Sequence, residues 1–199
     1  IRLRKAFYNS SEEYWRHPVS TEKLPLRNQE NREAGLVLAC QYCARLSGQV
    51  QHDAVCVVEE GLKTKSFMPK PSMMMSWQQI KMLKDQGHIV GSHTVTHPNM
   101  ALVEHKELYS ELLDSKKVLE EKLQVPVVHF SYPSPMLEPH WTSSTVLVTA
   151  EVGYKTATTC TPGNVTTADN PLALRRMWVP FDMDEFIWYL ENTLVGRLL

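Results

Sequence analysis

Residues 76–100 read SWQQIKMLKDQGHIVGSHTVTHPNM, and the fold class follows from how this stretch is parsed. Ser76 can act as a helix N-cap with Gln79 as its reciprocal partner in a capping box, and Gly87 closes the helix after WQQIKMLKDQ. His88-Ile89-Val90 then reads as a short strand, with His88 packed inside it. His93 and His97 follow, four positions apart. On a helix that spacing would place both imidazoles on one face. Here Thr94, Val95 and Thr96 are three consecutive β-branched residues, and Pro98 drives His97 out of the right-handed helical region, so the helix fails. The histidines are therefore predicted in a loop at the carboxyl end of a strand, where parallel α/β sheets gather their chemistry. Neutral imidazoles converging there suit Zn²⁺ or another divalent transition metal, with a carboxylate as the usual third ligand.

The flanking segments extend the same alternation. Upstream, DAVCVV (53–58) reads as a buried strand and the stretch from Gly35 to Leu46 as a helix. Residues 1–33, interrupted by Pro18 and Pro25, read as an irregular N-terminal arm before a domain over 34–199. Downstream, Asn99 to Leu123 is an amphipathic helix with Leu108, Leu112, Leu119 and Leu123 on one stripe and Glu107, Glu111, Lys116 and Lys117 facing elsewhere. VPVVHFSYP is a strand cut by Pro133, and Val146 to Val152 is a helix ended by Gly153. Tyr154 to Thr158 and LRRMWVP are strands around the turn Pro162-Gly163, and Met183 to Leu194 is the last helix. Strands separated by helices imply parallel pairing with right-handed crossovers, that is, an α/β fold.

Composition bounds the rest. A hydrophobic fraction of 43% over 199 residues supports a packed core and excludes a disordered or collagen-like chain. Twenty-one basic against 22 acidic residues leave no electrostatic footprint for nucleic acid or an anionic membrane, so no nucleic-acid partner is expected. No apolar run approaches the roughly 20 residues of a transmembrane helix. The opening IRLRKAFYNSSEEYW has positive charge but no apolar segment, so it does not read as a signal peptide. A start on Ile1 rather than Met suggests that the native N-terminus has been trimmed, and the compartment stays open. Cys40 and Cys43 form a CxxC, a redox pair or half a zinc site in principle, but here read as partly buried thiols on a helix.

The 76–100 stretch also resembles the second motif of the polysaccharide deacetylase family, the NodB-type carbohydrate esterases, which places Gly-His-x-hydrophobic-Gly before His-(Ser/Thr)-x-x-His. HFSYPSP resembles that family's Phe-x-Tyr-Pro loop, GYKTATTCTPG its following strand and turn, and LRRMWVP with DMDEFIWYLE its C-terminal ending. The resemblance spans about residues 50–197. It implies a distorted or incomplete (β/α) barrel of mostly parallel strands, and hydrolysis of N-acetyl groups on a glycan or similar amide. It makes His93 and His97 metal ligands, with Zn²⁺ or another divalent transition metal as cofactor. Tyr132 to Ser134 would line the substrate and oxyanion side, although Ser134 and Pro135 stand where the family has aromatic and Gly. Trp141 is the best candidate to stack on substrate; Trp77, Trp178 and Trp188 read as core.

One part of the family pattern is missing. The family's first motif contains an Asp-Asp pair, one Asp acting as base and the other as metal ligand, and no such pair occurs. Two substitutes present carboxylates: Glu60 in VVEEG, and Glu33 in Arg32-Glu33-Ala34-Gly35. The chain therefore reads as a fragment or a degenerate member, with feeble or no deacetylation expected. The alternative is a catalytically silent protein of this fold that binds carbohydrate or a partner.

Overall fold

The computed structural model describes residues 1–68, 70, 73–134, 137–177 and 179–195. The N-terminal segment is ordered rather than irregular. Helix α1 (Arg2–Asn9) buries Ala6 and Phe7, and an antiparallel pair, β1 (Tyr14–Arg16) and β2 (Lys23–Pro25), follows it. The two prolines do not break this hairpin. Pro18 lies in the connection and Pro25 ends its strand, where a missing N–H disturbs least. Helix α2 (Gln29–Ala44) starts at an Asn28 cap and runs through the position where the arm was expected to end. Gly35 lets α1 approach it closely, because an added Cβ would stand 2.7 Å from the Phe7 ring.

The strand expected over 53–58 is instead part of helix α3 (Gly48–Gly61). Ala54, Val58 and Leu62 recur every four residues and are all buried, whereas Val57 between them is exposed. A helical stripe thus overrides the β-branched composition of DAVCVV. α1, α2, α3 and the hairpin share one apolar core around Phe7, Trp15, Leu26, Leu36, Val58 and Leu62. It is tied across by Arg2, which donates from Nη2 to Oε2 of the buried Glu59 at 2.6 Å and from Nε to Oε1 at 3.0 Å. Ser66 adds a third donor, and the Arg2 hydrogen bond is the main reason the Glu59 carboxyl is held below the usual range.

Helix α4 (Trp77–Asp85) has the expected capping box, and Gly87 takes the left-handed conformation after it (φ 89°). Residues 88–90 are not a strand. His88 is exposed rather than packed, and pairing is limited to a parallel bridge from Ser92 to Phe130. Helix α5 (His105–Leu123) begins six residues later than predicted, after an N-cap at Glu104. β3 (His129–Ser131), α6 (Ser143–Glu151), β4 (Thr156–Pro162), β5 (Leu174–Arg176) and α7 (Met183–Leu194) complete the chain. Within LRRMWVP the strand is only its first three residues, and Trp178 lies outside the described residues. β3, β4 and β5 form a parallel sheet in that order, and Ser92 extends it beside β3. This mixed α/β structure with a short parallel sheet fits the incomplete barrel. Its core gathers Met100, Leu108, Leu112, Phe130, Tyr132, Val148 and Tyr154.

Removing Arg2 leaves Glu59 charged in a buried site, and breaking such a pair costs about 2–4 kcal/mol, allowing for the part-exposed arginine. Because the folded carboxyl has a lowered pKa, its contribution is full above the unfolded value and is lost as pH falls through the folded one. Urea unfolding of Arg2→Ala should show that loss near neutral pH and a progressively smaller difference from the parent toward acid.

Candidate metal centre

The site is built on the edge of the sheet. Ser92 inserts beside β3: its N–H donates to the His129 carbonyl (2.9 Å), and its carbonyl accepts from the Ser131 N–H (2.9 Å). Gly91 eases that approach, since a Cβ would lie 3.1 Å from the His129 oxygen and the strand would have to give by a few tenths of an ångström. The Ser92 hydroxyl reaches Ser115 Oγ on α5 at 2.6 Å, so both backbone and side chain fix where the next residue begins.

That residue is His93. Its Nδ1 lies 2.7 Å from the Ser131 carbonyl oxygen. A carbonyl can only accept, so Nδ1 carries the proton and Nε2 is the lone-pair nitrogen. An orienting bond of this kind from the far nitrogen typifies metal-ligating histidines. The His97 ring lies 4.9 Å away, edge to face. Burial, and secondarily the neighbouring His93, lowers the His97 pKa, which keeps the ring a neutral electron-pair donor near pH 7.

Between the two histidines the backbone turns sharply: Thr94 and His97 have φ of 67° and 59°, a left-handed conformation unfavourable for β-branched Thr94 above all. Glu111 holds it. From α5 its Oε2 accepts from the N–H groups of Val95 and Thr96, both at 2.8 Å, and its Oε1 accepts from Thr96 Oγ1 at 2.5 Å. Glu111 was expected on the outer face of its helix and is 6% exposed. The signal was present: Leu108, Glu111, Leu112 and Ser115 follow i, i+3, i+4, i+7, so a carboxylate occupies a core-facing position and requires buried donors.

His97 lines an open cavity of about 700 Å³ that runs under α1 and α2. Glu33, Cys40 and Cys43 line the same cavity. One Glu33 oxygen, Oε2, is buried without a hydrogen-bond partner, while Oε1 is 4.0 Å from Arg4. The two cysteines are free thiols on α2, as expected, and burial pushes Cys43 up to about 11. Glu60 is not brought to the histidines: it lies exposed on α3 and outside the cavity lining. Among the described residues no cluster of three or more His, Cys, Asp or Glu is gathered for a metal ion.

The expected substrate side departs from expectation at Tyr132. Its side chain is 1% exposed, its hydroxyl donates to the Leu172 carbonyl (2.9 Å), and burial pushes its pKa up to about 12. Its N–H, one of the backbone donors of the Tyr-Pro loop, donates to the Thr158 carbonyl at 2.9 Å. Tyr132 is thus a core residue. Trp141 stacks on it at 5.9 Å and is half-buried. Ser134 is exposed, with Oγ 3.3 Å from His140 Nδ1, and Pro135 lies outside the described residues. Trp77 and Trp188, expected in the core, are about half exposed.

Residues 55–157 match the family model for polysaccharide deacetylase, just over half of the chain. The chain belongs to the polysaccharide deacetylase family. No curated protein matches it. Among solved structures it is similar to the Streptococcus pyogenes deacetylase PplD, determined in complex with acetate. That match has 26% identity and a TM-score of 0.54 and covers 60% of this chain and 50% of PplD. BC0361, a polysaccharide deacetylase from Bacillus cereus, matches at 26% identity and TM-score 0.47, over 64% of this chain and 43% of that one. The chain thus spans about half the length of the solved deacetylases it matches. The match contains the whole of the Gly91–Asn99 segment and Glu111, so the clamp on the histidine loop lies inside the deacetylase region.

Glu111→Gln replaces one acceptor oxygen by an NH₂ that cannot accept, leaving at least one loop donor unpaired at a cost of about 1–3 kcal/mol. Amide hydrogen exchange at Val95 and Thr96 should accelerate selectively, with β3–β5 protection unchanged apart from the global loss in stability.

Proposed function

We propose that this deacetylase-family chain binds a divalent metal ion through His93 and His97, zinc by the chemistry of two neutral imidazoles, and acts on an N-acetylated glycan or similar amide. The observation that carries this reading is the His93 Nδ1–H bond to the Ser131 carbonyl, which fixes the tautomer and leaves Nε2 as the lone-pair nitrogen of a ring 4.9 Å from that of His97. Acetate, the ligand bound to PplD, is the acid that deacetylation releases, and its presence there supports the same reaction class. The ion would polarise the amide carbonyl as a Lewis acid.

The chain's own residues have separable parts in this reading. His93 and His97 hold the ion, and Glu111 with Ser92 positions them. Glu33 is the proposed proton acceptor: it shares the cavity with His97 and has a buried oxygen free of hydrogen bonds. Trp141 and exposed Ser134 border the loop after β3, where an acetylated sugar would approach. Tyr132 contributes through its position beneath Trp141, not by its N–H.

A second reading, a catalytically silent carbohydrate-binding member, is favoured by the spent Tyr132 N–H and by the lack of a third gathered ligand among the described residues. Two measurements separate the readings. Calorimetric titration with zinc should show one site, lost in His93→Ala and in His97→Ala; unchanged binding in the double variant would refute the metal centre. Acetate release from N-acetylglucosamine oligomers is expected to be feeble, because misplacement of a base by more than an angstrom costs about 10² in rate. Whatever rate remains should fall by a further ~10²-fold or more in Glu33→Gln with zinc affinity retained; no zinc-dependent release at all supports the silent reading.

A further inference from the structure

Two helices leave apolar faces uncovered. α7 buries only Thr193 among its described residues. Met183, Ile187 and Leu194 recur at i, i+4 and i+11, which places them on one stripe, and each is about half or more exposed. Phe181, just before the helix, is fully exposed, and Trp188 is half exposed. Asp184 and Glu191, seven residues apart, run along the edge of that stripe, and the described helix contains no basic residue. This face is apolar and acidic.

α4 has the opposite character. None of its nine residues is buried. Trp77, Lys81 and Lys84 fall in line at i, i+4 and i+7, and Met74 and Met75 stand exposed just before the helix. Met82 is exposed too, but on another side of the helix. Lys84 pairs with Asp85 at 2.9 Å, a surface contact weak enough to be exchanged for another partner. This face is apolar and basic.

We propose that these are the two halves of one contact between copies of this chain, the α7 face of one copy docking on the α4 face of another. Charge complementarity selects the occupant. Each helix would repel its own kind, since acidic would meet acidic and basic would meet basic, whereas α7 against α4 places Asp184 and Glu191 opposite Lys81 and Lys84. Uncovered apolar surface of this extent is unusual on a monomer. In a twofold dimer the contact forms twice. Seven large apolar side chains (Phe181, Met183, Ile187 and Leu194 with Met74, Met75 and Trp77), at roughly 100 Å² each, then come near the ~800 Å² per partner of a stable association. If the geometry does not close, the same contact builds a head-to-tail chain.

The test uses charge-reversed variants of the full chain. The parent should self-associate in light scattering and sedimentation up to roughly 100 μM, more weakly as salt is raised. The Lys81→Glu, Lys84→Glu variant and the Asp184→Lys, Glu191→Lys variant should each be monomeric. Mixed in equal amounts they should associate again, because the acidic α7 of the first meets the basic α4 of the second and the reversed pair also matches. If the Asp184→Lys, Glu191→Lys variant loses helical circular dichroism, Glu191→Lys alone serves the same purpose. A monomeric parent over the whole range overturns the proposal and leaves these faces to a partner of another kind. Variants that still associate singly, or a mixture that stays monomeric, overturn it equally.

Discussion

A single carboxylate, Glu111, fixes the shape of the histidine loop. Glu111 accepts three hydrogen bonds from a loop that contains two non-glycine residues in the left-handed conformation. Those conformations cost about 1–2 kcal/mol each. A hydrogen bond to a charged acceptor contributes about 1.5–3 kcal/mol, so three of them outweigh the strain. The position of Glu111 depends in turn on the burial of Leu108 and Leu112, which anchor α5 against the sheet. Packing of a helix thus becomes orientation of two imidazoles, through one side chain.

The same loop joins the two cores. The helical core around Phe7, Trp15 and Val58 and the sheet core around Leu112, Phe130 and Tyr154 are separate clusters. Between them Asn99 N–H donates to the Ala44 carbonyl at 3.1 Å, and Gly48 N–H donates to Thr96 Oγ1 at 3.2 Å. Thr96 therefore bonds to α5 through its N–H and to the start of α3 through its hydroxyl. Asn99, fully buried, also donates from Nδ2 to the Leu137 carbonyl. A change in how the two cores meet would reach His97 within a few bonds.

The capping box of α4, the loop placement of the two histidines, and the strands after Val125 and Tyr154 were all legible, because each is a local rule written in adjacent residues. DAVCVV was misread because its β-branched residues outweigh, in a six-residue window, the four-residue stripe that appears only when Leu62 is included. His88 to Val90 looked like a strand by composition, but a strand exists only with partners, and Ser92 alone found one. Glu111 was assigned to solvent because charge normally faces water. The helical spacing marks its core-facing position, but the donors it meets there come from a strained loop fifteen residues upstream.

What separates this scaffold from its chemistry can be located at two atoms. The Tyr132 N–H completes the β3–β4 ladder by donating to the Thr158 carbonyl, so an oxyanion held there would first have to break a sheet hydrogen bond. Glu33 Oε2 presents the converse situation, a buried acceptor to which nothing donates. The rest of the carboxylate is half exposed and meets the Tyr8 hydroxyl, so only this one oxygen is left without a donor from the fold. A protonated group arriving in the cavity beside His97 would supply one.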